Sequence, residues 1–255
     1  DKYNQENPDN PAAPYAVNHI VHKSNVRLQQ DIDICAKWKA PVWITSLGAR
    51  PEVNEVAHQA NGIVLHDIIN NFFAKKAIEK GADGLVAVAA GAGGHAGTLS
   101  PFALIQEIRE WFDGPLLLSG SIANGGAVLA AQAMGADLAY IGSAFIATNE
   151  ANADQRYKEM ITESSADDIV YTNLFTGVHG NYLKGSIEAQ GLDPNNLEVS
   201  DSSKMNFSSG ASKPKSWKEI WGSGQGISAV KSILPASDLV KRINDEYIKA
   251  KKELV

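Results

Sequence analysis

The chain has 255 residues, 44% of them apolar and 20% charged, a formal net charge of −6 and a single cysteine, Cys35. Such a chain suits one large α/β domain or two small ones, has no internal disulfide, and has no electrostatic reason to bind nucleic acid or an acidic membrane. No apolar run reaches the length of a membrane span, and the start, DKYNQENPDNPAAP, lacks the layout of a signal peptide, so a soluble, cytoplasmic protein is expected.

Residues 1–14 are polar and proline-bearing and read as a loop or arm. Residues 15–22 (YAVNHIVH) form a strand candidate with Asn18 inside it. Asn25 then caps a helix to about Lys39, with Leu28, Ile32, Cys35 and Trp38 on one face; Cys35 is expected in the core. Residues 42–47 (VWITSL) form the next strand, and Pro51 opens a helix to Ala60 that Asn61-Gly62 ends. A strand at 63–66 is followed by a helix from about Asn71 to Lys80, closed by Gly81. The apolar run 85–90 is the central strand. Ser100-Pro101 then places an N-cap before a proline at the first helical position, with Leu104, Ile108 and Trp111 in register. A strand at 116–119, a helix at 124–134 capped by Gly135 and a strand at 138–141 complete the series.

Six such alternations, with about 22 residues per unit, imply parallel strands joined by right-handed crossovers. A TIM (β/α)8 barrel and an open doubly wound sheet both fit this spacing, and the late phosphate-type loops described below favour the barrel. After Thr148 the pattern changes. Residues 151–164 suggest a polar helix, 168–178 a strand and turn, 192–214 a surface excursion, and 217–226 (WKEIWGSGQG) a short element. Ser237 caps a last helix to about Lys252, with Leu239, Ile243 and Tyr247 on one stripe. The expected organisation is a βα-barrel domain of residues 13–150 plus 236–255, with a small substrate-covering domain of residues 151–235 inserted after the last strand.

The chemistry centres on residues 84–97, where a buried strand breaks into a loop with Gly91, Gly93, Gly94 and Gly97 around one imidazole, His95. Glycines let a backbone pass close under a flat ligand, and a histidine there is able to accept a proton. Downstream, Ser119-Gly120-Ser121 leads through Asn124-Gly125-Gly126 into a helix, and Ile141-Gly142-Ser143 ends the following strand. Consecutive loops of this kind match the phosphate cradle in the last two units of a TIM barrel. The six histidines show no metal-ligand cluster, and neither a G-x-S-x-G elbow nor a P-loop is present, which sets hydrolase and NTPase chemistry aside. His66, at a strand end, is a further candidate for the barrel mouth. His179 and Tyr182 read as surface loop residues, and Trp217 and Trp221 as packing for the small domain.

The stretches AAGAGGHAG, SGSIANGGAVLAAQAMGADLAYIGSAFIAT and GQGISAV resemble the nitronate monooxygenase (2-nitropropane dioxygenase) family. The resemblance implies a TIM barrel with a small inserted domain and a non-covalently bound FMN. It places the family's motif histidine at His95, as the base that removes the α-proton of a nitroalkane, and its strand asparagine at Asn18. FMN contacts are expected on Gly93, Gly94, Gly120, Ser121, Gly125, Gly142 and Ser143. The implied partners are a small nitronate or nitroalkane and O2, with a carbonyl compound and nitrite as products.

The chain departs from the family pattern at Val88 and Ala92, where the family often has Gln and Glu. Two further βα units of an eight-unit barrel are expected to be absent at the front, which would leave strand edges bare and favour self-association into a homo-oligomer. Two other functions remain open at the level of sequence. One is a flavin-dependent enoyl-thioester reductase using NAD(P)H, and the other is a flavin- or phosphometabolite-binding barrel without turnover.

Overall fold

The computed structural model describes residues 2–201 and 218–254; Trp217 and residues 202–214 of the expected excursion lie outside the described residues. Six parallel strands form one sheet: β1 (Ala16–Ile20), β2 (Val42–Ser46), β3 (Ile63–Ile68), β4 (Gly84–Val88), β6 (Leu116–Ser119) and β7 (Leu138–Tyr140). They pair strictly in chain order. A doubly wound sheet needs a point where the order reverses, so this winding is that of a TIM barrel, curled here into a half-barrel. Among the described residues β1 and β7 each pair on one side only.

Helices α2 (Leu28–Lys37), α3 (Pro51–Gln59), α4 (Asn71–Glu79), α5 (Pro101–Arg109) and α6 (Gly125–Ala133) return the chain between strands. Their apolar stripes, including Ile32, Cys35, Val53, Ala57, Ala77 and Leu104, pack on the outward strand residues Trp43, Val64, Ile68, Leu85 and Leu116. A repeated Gly-Ala-Asp joins helix to strand twice. Gly81 and Gly135 close their helices at φ +92° and +110°, and the buried Ala82 and Ala136 enter the core. Asp83 then accepts the Val64 N–H at 2.7 Å and Asp137 the Leu116 N–H at 2.8 Å. Each carboxylate thus satisfies a backbone donor on the strand before its own, which fixes strand register without a further hairpin.

Several local expectations shift. The first residues include a short helix, α1 (Lys2–Glu6), with no buried residue. Asn25 spans the turn after β1, taking the Arg27 N–H and donating to the Ile20 carbonyl, so α2 starts only at Leu28. Ser100 stands at the N-cap of α5 without a side-chain bond to the helix. Ser237 lies inside the first turn of α10 (Ala236–Leu254), whose first N–H is held by the Glu150 carboxylate at 2.9 Å.

After α7 (Ser143–Ile146) the chain forms α8 (Gln155–Glu163), β8 (Ile169–Thr172), β9 (Gly180–Leu183) and α9 (Lys184–Ala189). A second, antiparallel sheet has the order β5-β9-β8, and its β5 (Gly94–His95) belongs to the glycine loop after β4. No helix among the described residues is long and apolar enough to cross a membrane.

Helix α10 returns to lie on α6. Gly125 makes the approach possible, because a Cβ there would sit 2.0 Å from the Tyr247 nitrogen and 2.3 Å from the Ile243 carbonyl oxygen. Its N–H donates to Glu246 Oε2 at 2.9 Å. Gly125→Ala is therefore expected to destabilise the fold by about 2–3 kcal/mol, by overpacking against backbone that has no room to rotate away. Gly126→Ala, whose Cβ would meet only Asn124 Oδ1 at 3.5 Å, should change stability by less than about 1 kcal/mol. Urea midpoints for the two variants check both values.

Candidate functional site

Strand alternation divides the sheet's residues between two faces. The register places Asn18, Ser46, Asp67, Val88, Ser119 and Tyr140 on the concave face, Asn18 at the middle of β1 and the others at or next to the C-terminal ends of their strands. Below them Ile44, Leu65, Val86 and Leu117 fill the concave core. His66 belongs to the opposite face. It is buried towards the helices, its Nδ1 is 2.5 Å from Thr45 Oγ1, and burial pushes its pKa down to about 4. The barrel-mouth position expected for it is thereby overturned. Its neighbour Asp67 is the residue that faces inward.

The loops after β4, β6 and β7 meet residues 222–226 around a cavity of about 300 Å³. Gly91, at φ +82°, turns its carbonyl to accept both the Ser121 N–H (3.2 Å) and the Gln225 N–H (2.9 Å). Ser143 Oγ accepts the Gly224 N–H at 2.9 Å, and Asn181 Nδ2 donates to the Ala92 carbonyl at 2.7 Å. Gly93 is required at the contact, since a Cβ would lie 2.7 Å from the Gly224 nitrogen. Gly142 lines the cavity with no protein atom within 4 Å of where its Cβ would be. The lining contains no Asp, Glu, Lys, Arg or His. It is a cradle of backbone, serine hydroxyls and the phenols of Tyr140 and Tyr157.

Of the residues singled out by sequence, Gly93, Gly94, Gly120, Ser121, Gly142 and Ser143 come together in this lining. Gly125 does not: its N–H is taken by Glu246 and its Cα is pressed against α10, so its role is helix packing. Asn18 lies on the concave face outside the cavity, with its Oδ1 3.1 Å from Ser46 Oγ. His95 follows the lining residue Gly94, paired in β5 with Gly180. Its Nε2 is 2.9 Å from Thr176 Oγ1, and Thr176 in turn donates to the Val178 carbonyl at 3.0 Å. Burial pushes the His95 pKa down to about 4, so the ring is neutral at physiological pH.

Tyr182, expected at the surface, is fully buried on β9 against Phe175; His179 is exposed and stacks on Tyr171. Trp221 stacks on Tyr157 at 5.0 Å, and the Tyr157 hydroxyl donates to the Gly222 carbonyl, which anchors residues 222–226 over the cavity. Sequence reasoning missed Tyr140, Tyr157 and Asp67. The strand period would have found Tyr140 and Asp67 had the register been known.

Parallel strands wound in chain order, with glycine loops at their C-terminal ends surrounding an uncharged cavity, define a TIM-barrel fold with a candidate ligand site at the strand ends. The family model for nitronate monooxygenase matches residues 2–246, and the chain belongs to that family. It is 28% identical to a nitronate monooxygenase of Paraburkholderia phytofirmans over 68% of this chain and 51% of that protein. It is 23% identical to a probable nitronate monooxygenase of Staphylococcus haemolyticus over 88% of this chain and 66% of that protein. The chain thus spans about half to two thirds of the length of these two curated relatives. Among solved structures, FabK from Thermotoga maritima superposes with a TM-score of 0.76 at 21% identity, covering 99% of this chain and 82% of that one. A nitroalkane oxidase from Streptomyces ansochromogenes superposes with a TM-score of 0.74 at 25% identity, covering 89% of this chain and 70% of that one.

Asp67 carries a stability prediction. Its Oδ2 accepts from Ser46 Oγ at 2.6 Å, its Oδ1 is buried without a hydrogen-bond partner, and burial pushes its pKa up to about 6. A carboxyl raised above its unfolded value contributes stability that is complete below about pH 4 and is lost as pH rises through about 6. Asp67→Asn should therefore raise the melting temperature by a few degrees at pH 7.5 and leave it unchanged at pH 4, as read by thermal unfolding followed by circular dichroism.

Proposed function

We propose that this protein oxidises nitronates and nitroalkanes with O2, using FMN held in the glycine cradle and His95 as the base for neutral substrates. The observation that carries this reading is the cradle itself: neutral, built from backbone and hydroxyls, and bordered by an uncharged imidazole. A phosphate fits such a place, because the lining has no carboxylate to repel it and offers the loop N–H groups and the Ser121 and Ser143 hydroxyls as donors. Gly93, Gly94, Gly120, Ser121, Gly142 and Ser143 would hold the cofactor, with Asn18 on the concave face towards its ring.

When bound there, FMN would supply the redox chemistry by which a nitronate and O2 give a carbonyl compound and nitrite. The protein's own task is the proton. A nitroalkane becomes a nitronate only on losing its α-hydrogen, and the neutral imidazole of His95 takes it. Thr176 orients the ring through Nε2, and the nitronate charge formed beside the imidazolium offsets the cost of charging a buried ring. The segment 151–235, which contributes Tyr157 and residues 222–226 to the lining, would cover the substrate and exclude water.

Oxidation of a neutral nitroalkane should hold steady from neutral pH down to about 5 and fall as pH drops through about 4, where His95 gains its proton. His95→Ala should keep FMN, lose about 10²-fold or more in kcat/KM on a nitroalkane, and lose much less on the preformed nitronate. Nitrite release from the two substrates measures both, and an equal loss on each removes His95 from the role of base.

A further inference from the structure

The function proposed above leaves Asp67 without a task. It sits on the concave face at the next-to-last position of β3, level with Ser46 on β2. Tyr140, on the same face, has its phenol pKa raised chiefly by burial and secondarily by the nearby Asp67 carboxyl. Oδ2 has its partner in Ser46 Oγ, while Oδ1 is shielded from solvent and has no donor in the protein. An unsatisfied buried carboxyl oxygen is costly and calls for a reason. Tyr140 and Ser119, on the same face, line the cavity, and Asp67 stands on that face beyond the lining, where a flat ligand extending from the cradle over the face would meet it.

We propose that Asp67 is a binding residue of the flavin site, protonated in the bound state and donating a hydrogen bond from Oδ1 to an acceptor atom of the flavin ring system. This rests on the flavin reading above. Three observations support the protonated form. First, among the described residues no cation stands with the carboxyl on the concave face of the strands. On the concave face of the six strands Tyr140 is the other titratable group among the described residues, Asn18 and Ser46 are neutral, and His19 and His66 lie on the helix side. His95, on the loop after β4, is itself held neutral by burial. Second, a flavin phosphate would bring further negative charge into a cavity without Lys or Arg in its lining, which drives a proton onto the nearest buried carboxyl. Third, a flavin ring presents carbonyl oxygens and unprotonated nitrogens, and a carboxylic acid meets them with Oδ1–H while Oδ2 keeps its bond from Ser46.

Binding then takes up a proton. Because burial already holds the free carboxyl at about 6, flavin affinity should fall as pH rises above that value, approaching about tenfold per pH unit. The test is fluorescence titration of FMN and riboflavin into the apoprotein between pH 6 and 8, for the native protein, Asp67→Asn and Asp67→Ala. Riboflavin lacks the phosphate, whose own ionisation near pH 6 would otherwise contribute. The native protein should lose about 10- to 100-fold in affinity for both flavins over this range. Asp67→Asn, a permanent neutral donor, should be flat for riboflavin and bind at pH 8 about as tightly as the native protein at pH 6. Asp67→Ala should be flat and weak. An Asp67→Asn profile parallel to the native one, or a native affinity that rises with pH, overturns the assignment of Asp67 while leaving the flavin reading intact. No flavin binding by any form at any pH overturns the flavin reading, and this one with it.

Discussion

The site depends on one carbonyl. Gly91, turned to positive φ at the end of the central strand, presents its oxygen to the Ser121 N–H and the Gln225 N–H together. Three segments far apart in sequence are tied at that atom: the loop after β4, the loop after β6, and the residues leading back to α10. A Cβ at Gly91 would displace the Ser121 hydroxyl, 2.1 Å away, and would be strained at φ +82°, so the junction favours glycine. Around it Gly93 lies against Gly224, and Ser143 receives the Gly224 N–H. The cradle is therefore held by loop-to-loop backbone contact together with the Ser143 and Asn181 side chains and the Tyr157–Trp221 stack.

Burial does the electrostatic work. His95 and Asp67, near the cavity, are each shifted chiefly by loss of water. His95 is pushed down and Asp67 up, so both favour their uncharged forms. Under the proposals above, the imidazole free of its proton would remove one from a substrate, and the carboxyl inclined to keep its own would offer a hydrogen bond. An explicit ion pair lies elsewhere, at Arg109–Asp137, and both Asp137 and Asp83, the latter hydrogen-bonded to His58 Nε2, hold strand starts.

The architecture was legible because its signals are local and repeated. Strand–helix spacing, prolines at helix starts and glycines at helix ends announce parallel βα units, and the glycine loops mark where strands end. What sequence could not show was which way a strand faces. His66 and Asp67 are adjacent, and a one-residue difference in register exchanges a helix-side histidine for an acid on the concave face. Gly125 misled for a related reason: a glycine at a helix start suits an anion equally well as it suits a second helix, and only the placement of α10, 121 residues away at Glu246, decides between them. Tyr182 belongs to an antiparallel sheet whose third strand is two residues of the glycine loop, a pairing with no signature in the chain's periodicity.

The measurement that tests the central claim most directly is the visible absorbance spectrum of the protein with a nitronate, first without oxygen and then with it. A flavin spectrum that bleaches anaerobically, returns with O2 and leaves nitrite in solution is the predicted result. A flavin that ignores the nitronate and is bleached by NADH instead would contradict the oxidase reading and point to a reductase on the same barrel.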